Sequence, residues 1–378
     1  MSRETVAMSF ATVLDRLPAQ SPIVRRFAEL LAPADGARLE AMAQEACVLT
    51  RQNFGRTMRM FAPLYLSNEC INNCRYCGFS RDNPILRITL TVEQVLAEGL
   101  HLVAQGFRQV LLVAGEHPKF VSGSYLSDCI RALTPHFPSI SLELGPMEKS
   151  EYEPLVAAGA EGLVVYQETY DRDVYAEMHT SGPKRDFNWR LDCPARAYDA
   201  GFRRIGVGAL FGLAAWRPEA LDLAAHLEYL LKRCWQSDLT VSLPRLRPAA
   251  GEFVPPFSLG DRDLAQLICA FRICFPRVGI VLSTREPALL RDALASLGVT
   301  MMSSGSHTEP GGYTGQGRGA VHRTVRGRIQ PPDESADALA TGQFEISDER
   351  SPAEVADVLR REGFEPVWKD WDQALAAR

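Results

Sequence analysis

Eight short apolar runs alternate with helical patterns from residue 62 onward, and this alternation constrains the fold more than any other feature. Parallel strands buried on both faces are nearly continuous in apolar residues, and these runs have that character. Strands that alternate with helices indicate an α/β sheet, and eight of them favour a closed (β/α)8 barrel of the TIM type over an open doubly wound sheet. The runs cover residues 62–68, 109–116, 140–146, 162–169, 204–212, 239–248, 279–286 and 299–306.

The segments on either side of the predicted barrel, which we place at residues 62–306, differ from it in composition. Residues 1–61 contain two or three helical patterns and predict an N-terminal helical extension. Residues 307–342 are rich in Gly, Pro and charged residues, which predicts a flexible loop. Residues 343–378 include the helical pattern SPAEVADVLRREG and predict a C-terminal extension that packs on the barrel.

Charge balance and hydropathy exclude two classes of partner. Lys and Arg number 41 and Asp and Glu number 46, which leaves a net charge of −5 without a basic run. Neither nucleic acid nor an anionic membrane is therefore expected as the main partner. No apolar stretch reaches the ~18 residues that a membrane-spanning helix needs. The N-terminal segment is charged and lacks the apolar core of a signal peptide, which predicts a cytoplasmic protein.

Three of the nine cysteines lie close together in the segment NECINNCRYCGFS. Cys70, Cys74 and Cys77 have the spacing C-x3-C-x2-C directly after the first predicted strand, where barrel enzymes carry their reactive groups. Three thiolates on a short loop bind three irons of a 4Fe–4S cluster and leave the fourth iron open for a substrate or cofactor. A structural zinc site is the alternative, but it normally needs four ligands, and no second C-x2-C pair or histidine within twenty residues is present.

Polar or small residues at the ends of other predicted strands are candidates for ligand binding. Gly115 and Glu116 end the second run, although a tight turn alone also explains such a pair. Glu168 ends the fourth run, and a carboxylate in a barrel mouth is costly unless a donor meets it. Gly206 and Gly208 in the fifth run allow close approach of a ligand, or merely a bend in the strand.

Arginines follow the sixth and seventh predicted strands. The guanidinium group is well shaped for bidentate binding of carboxylates, so we expect these arginines to bind ligand carboxylates. For any one of them the alternative is a salt bridge at the barrel rim to Glu286 or Asp261. The segments are SLPRLRP, with Arg245 and Arg247, and LSTRE, in which Ser283 and Thr284 precede Arg285.

The cysteine loop on a predicted barrel resembles that of the radical S-adenosylmethionine (SAM) superfamily. This resemblance implies that the amino and carboxylate groups of SAM chelate the open iron of the cluster. It also implies that Tyr76 packs near the adenine, and that Gly115 and Glu116 form a variant of the Gly-Gly-Glu motif that receives the SAM amino group. Together with the candidates above, the predicted SAM-binding residues are Tyr76, Gly115, Glu116, Glu168, Gly206, Gly208 and Arg245.

Further segments extend the resemblance to the 2-iminoacetate synthases, the tyrosine lyases of bacterial thiazole biosynthesis. It covers roughly residues 60–375 and includes YQETY, PRLRP, STRE, EPGGY, GQFEISDERSPAEV and PVWKDWD. In this family SAM is cleaved to methionine and a 5′-deoxyadenosyl radical, which takes a hydrogen from the amino group of L-tyrosine. Cleavage of the Cα–Cβ bond then gives 2-iminoacetate and p-cresol. The resemblance implies that Arg285, with Ser283 and Thr284, holds the tyrosine carboxylate, and it implies no catalytic side chain beyond the cluster and SAM.

The resemblance also implies partners and leaves alternatives. Thiazole synthase is the expected protein partner, and an electron donor such as flavodoxin or ferredoxin is required. The nearest alternative is the tyrosine lyase of FeFe-hydrogenase maturation, which carries a C-terminal extension with further cysteines for a second cluster. Here the last cysteine is Cys274, which disfavours that alternative. A non-catalytic iron–sulfur redox protein is the alternative of a different class, and such a protein needs no pocket lined by arginines.

Overall fold

A computed structural model describes residues 21–330 and 338–368, and within them eight parallel strands close into a barrel. Each strand pairs with its neighbours in chain order, and the last pairs with the first, which closes the sheet. The predicted (β/α)8 TIM-type barrel is therefore confirmed. The strands, labelled β1 to β8, are Thr57–Ser67, Gln109–Ala114, Ser139–Glu143, Gly162–Glu168, Arg204–Ala209, Asp238–Ser242, Gly279–Leu282 and Met301–Ser303.

Helices surround the barrel and cover its outer face with apolar side chains. Several begin at the capping residues that the sequence indicates, such as Thr91, whose hydroxyl and the side chain of Gln94 form a capping box. Within the described residues none of the helices is long and apolar enough to cross a membrane. In chain order they are α1 to α12: Pro22–Leu31, Gly36–Phe54, Val92–Ala104, Gly123–Leu133, Lys149–Ala158, Arg172–Met178, Phe187–Leu191, Cys193–Asp199, Trp216–Arg233, Asp261–Cys274, Ala288–Ala295 and Pro352–Arg361.

The strands alternate between residues that face the helices and residues that face the barrel axis. In β3, Ile140 and Leu142 are buried against the helices, whereas Ser139, Ser141 and Glu143 line cavities inside the barrel. This alternation follows from the two-residue period of a strand. It directs the last inward residue of each strand into the mouth at the carboxyl end, which is where active sites of such barrels lie.

The first strand begins earlier than the apolar run that predicts it. β1 starts at Thr57 rather than at residue 62, and its first residues lie inside the segment expected to be an N-terminal extension. Arg59 interrupts the apolar pattern there, and it lines the cavity at the amino end of the barrel. The extension itself supplies α1 and α2, which pack on α10; the rings of Phe27 and Phe271 lie 4.6 Å apart.

Part of the segment expected to be a flexible loop has regular structure. His322–Val325 pairs with Ile85–Arg87 on one side and with Arg328–Ile329 on the other, in a small antiparallel sheet. The tight turn of this hairpin contains Arg326 and Gly327 with φ angles of 50° and 72°. The composition of this segment predicts no regular structure. Its pairing with the strand that follows the cysteine loop accounts for the strands that it forms.

The C-terminal residues contact the barrel at two places. Ser351 caps the N-terminus of α12, and the helix buries Val355 and Leu359. The strand Glu365–Val367 then pairs in parallel with the first residues of β1. The indole of Trp368 packs on Phe107, with ring centroids 5.1 Å apart. The rest of the VWKDWD segment lies outside the described residues.

Candidate active site

The loop after β1 brings the three predicted cysteines to one cavity at the carboxyl end of the barrel. Cys70, Cys74 and Cys77 all line this cavity of about 620 Å³, hereafter the cysteine cavity. Burial raises the pKa of the Cys70 and Cys74 thiols and thus favours their protonated form. A nearby positive charge, such as that of a metal, would favour the thiolate form instead. Over residues 21–330 and 338–368, no three His, Cys, Asp or Glu side chains are grouped to hold a single metal ion.

A buried arginine fixes both ends of the cysteine loop. The side chain of Arg87 is on the strand that follows the loop, and the residue is 1% exposed. It donates to the carbonyl oxygen of Asn68 at 2.5 Å before the cysteines, and to those of Phe79 at 3.0 Å and Ser80 at 2.7 Å after them. Its Nε also donates to Oγ1 of Thr324 at 2.6 Å. The shape of the loop therefore depends on the planar fork of one guanidinium group.

Amide side chains lie beside two of the cysteine sulfurs. Nδ2 of Asn72 is 3.8 Å from Sγ of Cys70, and Nε2 of Gln343 is 4.0 Å from Sγ of Cys77. Asn72 also donates to Oε2 of Glu116 at 2.6 Å, which fixes its orientation. Hydrogen bonds to sulfur are among the features that tune iron–sulfur clusters. Three thiols on one cavity, with amide donors beside two of them, fit such a cluster.

Three of the predicted SAM-binding residues also reach the cavities around the cysteines. Tyr76 is buried, and its hydroxyl lies 2.8 Å from Nε2 of His179. Gly115 and Glu116 line the cysteine cavity itself. A β-carbon on Gly115 would lie 2.2 Å from the carbonyl oxygen of Glu69, so only glycine permits this approach of the two backbones. The carboxyl end of β2 is thus packed against the cysteine loop.

Glu168 lies in the cysteine cavity with two cations that the sequence analysis did not identify. Its carboxylate accepts hydrogen bonds from Nζ of Lys184 at 2.6 Å and Nη2 of Arg190 at 3.3 Å. Burial would raise the pKa of Glu168, but these cations hold it below its ordinary value. The backbone of Glu168 has a φ of 72°, and Glu219 of α9 supports the turn by accepting from the N–H of Tyr170 at 3.0 Å. Lys184 and Arg190 lie in short helical turns after β4, and no pattern in the sequence indicates that they belong to the site.

The two glycines of β5 do not line the cysteine cavity. A β-carbon on Gly206 would lie 2.9 Å from Cγ2 of Val164 and 3.0 Å from Oγ1 of Thr240. A β-carbon on Gly208 would lie 2.8 Å from the ring of Tyr166. Close packing inside the barrel accounts for both glycines, which favours the structural explanation over the predicted contact with SAM.

Arg245 pairs with carboxylates at the rim and does not line the mouth. Its Nε lies 3.0 Å from each carboxylate oxygen of Glu286, and its Nη1 lies 2.7 Å from Oδ1 of Asp261 and 2.9 Å from the carbonyl oxygen of Leu259. Its Nη2 also donates to Glu286. Because all three nitrogens already donate, the geometry argues against the predicted role of Arg245 in SAM binding. Arg245 thus forms the salt bridges at the rim that the sequence offered as its alternative.

Arg247 and Arg285, in contrast, face the mouth. Both line a cavity of about 480 Å³ together with Tyr76 and Glu168. Nε of Arg247 is buried without a hydrogen-bond partner in the described part of the chain. The guanidinium carbon of Arg285 lies 3.4 Å from the ring centroid of Phe344. Stacking of this kind leaves the N–H groups in the plane of the guanidinium available for a carboxylate.

Ser283, Thr284 and Arg285 also line a second, connected cavity of about 690 Å³, hereafter the substrate cavity. Its walls are mainly apolar and include Phe61, Pro63, Tyr65, Leu111, Val113 and Leu243. The side chain of Thr284 is buried, and its backbone N–H donates to Oγ of Ser303 at 3.2 Å. An apolar pocket with a few polar groups at one side is typical of sites for small molecules.

The substrate cavity and the cysteine cavity share three lining residues, which are Val113 of β2 and one residue each of the third and fourth strands. Glu143 of β3 and Tyr166 of β4 line both of them, and also line the cavity of Arg247. Burial raises the pKa of Glu143 to about 7, although Arg285 opposes that shift. Glu143 is not among the residues predicted from the sequence. The available signal was a single charged residue at the end of an apolar run on a predicted barrel.

A segment from the C-terminal region covers the mouth. Oε1 of Gln343 accepts from the hydroxyl of Tyr65 at 2.8 Å, and the backbone N–H of Ser347 donates to the carbonyl oxygen of Thr284 at 2.8 Å. The next residue, Asp348, forms a fully buried ion pair with Arg291 of α11. The segment of residues 341–348 thus places Gln343 against the cysteine cavity and the ring of Phe344 against the substrate cavity.

Two family profiles match the chain. The radical SAM superfamily profile matches residues 64–222, and the biotin and thiamin synthesis associated domain matches residues 242–365. Proteins of the radical SAM superfamily in general use a 4Fe–4S cluster and SAM. The solved structure of HydG, a maturase of the FeFe-hydrogenase, superimposes with a TM-score of 0.83 at 28% identity, over 97% of this chain and 81% of that one.

Two curated relatives are more similar in sequence than that structure is. The 2-iminoacetate synthase of Escherichia coli is 42% identical over 347 residues, which is 92% of this chain and 86% of the relative. The 2-iminoacetate synthase of Salmonella typhimurium is 40% identical over the same shares of both chains. On this evidence the chain belongs to the 2-iminoacetate synthase family of the radical SAM superfamily.

Proposed function

We propose that this protein is a radical SAM carbon–carbon lyase that cleaves the Cα–Cβ bond of L-tyrosine to 2-iminoacetate and p-cresol, for the thiazole of thiamine. The observation that carries the proposal is the junction of the two cavities. A thiol-lined cavity shares lining residues with an apolar pocket, and at the side of that pocket lies Arg285, whose guanidinium has no hydrogen-bond acceptor among the described residues. A radical generated in the first cavity and an amino acid held in the second are therefore within reach of each other, as such a reaction requires.

Cys70, Cys74 and Cys77 are the proposed ligands of the 4Fe–4S cluster. When bound, the cluster and SAM supply a one-electron cleavage that yields methionine and a 5′-deoxyadenosyl radical. Gly115 and Glu116 line the same cavity and are the proposed contacts of the SAM amino group.

Tyr76 and Glu168 line the adjoining cavity, where we assign them to the adenine and the ribose. Arg247, whose buried Nε has no hydrogen-bond partner in the described part of the chain, replaces Arg245 as the candidate for a SAM carboxylate.

Arg285 is the proposed anchor of the tyrosine carboxylate. Among the described residues, its guanidinium N–H groups form no ion pair and donate no hydrogen bond to a side chain. Ser283 and Thr284 lie beside it in the substrate cavity. The segment 341–348 covers the mouth and limits access of water. Exclusion of water matters because the product is an imine, which water hydrolyses readily to glyoxylate.

The atoms balance across this reaction. Removal of one hydrogen atom from the tyrosine amino group gives 5′-deoxyadenosine, and cleavage of the Cα–Cβ bond gives 2-iminoacetate with a 4-hydroxybenzyl radical. That radical ends as p-cresol after it gains one electron and one proton. The protein must therefore receive electrons from a donor such as flavodoxin or ferredoxin, and thiazole synthase is the proposed partner that consumes the imine.

The test is anaerobic reconstitution with iron and sulfide, followed by dithionite, SAM and tyrosine, with the products identified by mass spectrometry. We expect 5′-deoxyadenosine, p-cresol and glyoxylate. Arg285→Lys should retain the cluster and weaken tyrosine use, whereas Arg245→Lys is the matched control at the rim and should leave tyrosine use unchanged. Absence of p-cresol from fully reconstituted protein would refute tyrosine lysis, and absence of 5′-deoxyadenosine would refute the radical SAM reaction, as a redox carrier predicts.

A further inference from the structure

We propose that Glu143 binds the ammonium group of the substrate amino acid and, with Arg285, holds the zwitterion across the barrel mouth. This inference rests on the proposed function, which assigns the carboxylate of the substrate to Arg285. It adds the second half of the recognition and assigns a role to a carboxylate that the sequence motifs do not reveal.

The position of Glu143 on the barrel supports the proposal. Glu143 is the last residue of β3, and Arg285 follows β7. In a closed barrel of eight strands, the third and seventh strands lie on opposite walls. Both side chains line the substrate cavity, so the carboxylate and the guanidinium face each other with the cavity between them. An α-amino acid carries its two opposite charges on groups bonded to the same α-carbon, so one cation and one anion of the protein can bind them together.

The bonding state of Glu143 supports it as well. Over the described residues, its carboxylate accepts no hydrogen bond and forms no ion pair within 4.0 Å. The cations that affect it besides Arg285 are Lys184 and Arg190, and both bind Glu168 instead. Glu143 is half-buried, and a carboxylate that is partly removed from water without a partner has a desolvation cost. An ammonium group from the substrate would provide the missing partner, and burial raises the pKa of this side chain, as expected for an unpaired carboxylate.

The location also matches the chemistry of the first step. Glu143 lines the cysteine cavity as well as the substrate cavity. A nitrogen bound to its carboxylate would lie at the junction of the two, on the side where SAM is proposed to bind. The amino group is the part of tyrosine that gives up a hydrogen atom in the proposed reaction. Glu143 would thus act as a positioning residue that presents the N–H bond to the radical.

The experiment compares two ligands on the reconstituted protein with SAM present, by anaerobic titration calorimetry. The ligands are L-tyrosine and 3-(4-hydroxyphenyl)propionate, which lacks only the amino group. The natural protein should prefer tyrosine by about 10- to 100-fold, the range of a hydrogen bond to a charged group. Glu143→Gln should lose most of this preference and keep its affinity for the propionate. Arg285→Lys is the matched control and should weaken both ligands to a similar degree.

Several results would overturn the proposal. A Glu143→Gln protein that still prefers tyrosine by the natural factor would show that another group binds the ammonium. Loss of SAM affinity with an unchanged preference for tyrosine would assign Glu143 to SAM instead. If the glutamine variant fails to fold, Glu143→Asp serves in its place, and a preference as large as that of the natural protein counts against the proposal. Failure of the natural protein to bind either ligand would refute the proposed function itself.

Discussion

Replacement of Arg87 by methionine should open the cysteine loop without dismantling the barrel. Methionine keeps the length of the apolar stem but removes all donors from a side chain that bonds to both ends of the loop. The carbonyl oxygens of Asn68 and Phe79 then lose the donor that the described structure gives them. The carbonyl oxygen of Ser80 keeps a second donor, the N–H of Asn83 at 3.0 Å.

The size of the effect follows from these contacts. An unsatisfied buried acceptor costs about 1 to 3 kcal/mol, so two of them cost about 2 to 6 kcal/mol. Burial lowers the pKa of Arg87, which shows that its charge is itself desolvated, and removal of that charge offsets part of the loss. We expect a net loss of about 3 kcal/mol in the free energy of opening the loop. That corresponds to roughly a hundredfold faster amide exchange there.

The assay is hydrogen exchange followed by mass spectrometry on peptides that cover residues 68–84, with iron content measured after reconstitution. Arg75→Met is the matched control, because Arg75 lies in the same loop but its side chain forms, among the described residues, a single exposed ion pair with Glu177 at 2.8 Å. Such surface pairs contribute about 0 to 1 kcal/mol. Exchange and iron content in Arg87→Met equal to those of the control would refute the argument that one guanidinium fixes the loop.

Three further predictions concern other parts of the site. Gly115→Ala should lower the iron bound after reconstitution, because its β-carbon would lie 2.2 Å from a backbone oxygen of the cysteine loop; Gly123→Ala, with nothing within 4 Å, should not. Asp348→Ala should reduce the free energy of unfolding in denaturant by about 3 to 5 kcal/mol, because it leaves Arg291 buried without its counter-charge, and a smaller loss would contradict this. The preference for tyrosine over its propionate analogue should grow as pH rises through about 7, because Glu143 is ionised only above its raised pKa; a ratio independent of pH would argue against this.

The fold was predictable because barrel strands have a strong and local signal. Runs such as QVLLVA are apolar on both faces, and each strand in the structure lies on such a run or extends it by a few residues. The predicted runs overshoot at the carboxyl end, as in the seventh, which was predicted to residue 286 but ends at Leu282. The overshoot covers Ser283 and Arg285, and the chain already turns at Thr284 and Arg285.

The site was predictable only where its functional residues lie close together in the sequence. The cysteines are separated by two or three residues, so their spacing alone indicates a cluster. The roles of the arginines are ambiguous in the sequence, because it does not show which carboxylate lies nearest to each of them. In the structure Arg245 forms an ion pair with Glu286. Lys184 and Arg190 reach the site from short turns, and their role depends on the position of Glu168. Contacts of this kind exist only once the chain is folded.

The covering of the mouth by residues 341–348 has a consequence for biosynthesis. Roughly 270 residues separate the last cysteine of the loop from this segment, so at about 5 to 20 residues per second the ribosome needs on the order of 10 to 50 seconds to make the intervening chain. β8 must also be made before it can pair with β1 and close the barrel. During that interval the thiols are exposed to the cell without their final cover. Before this segment is in place, the loop is therefore more open to iron and sulfide, and also to oxidants.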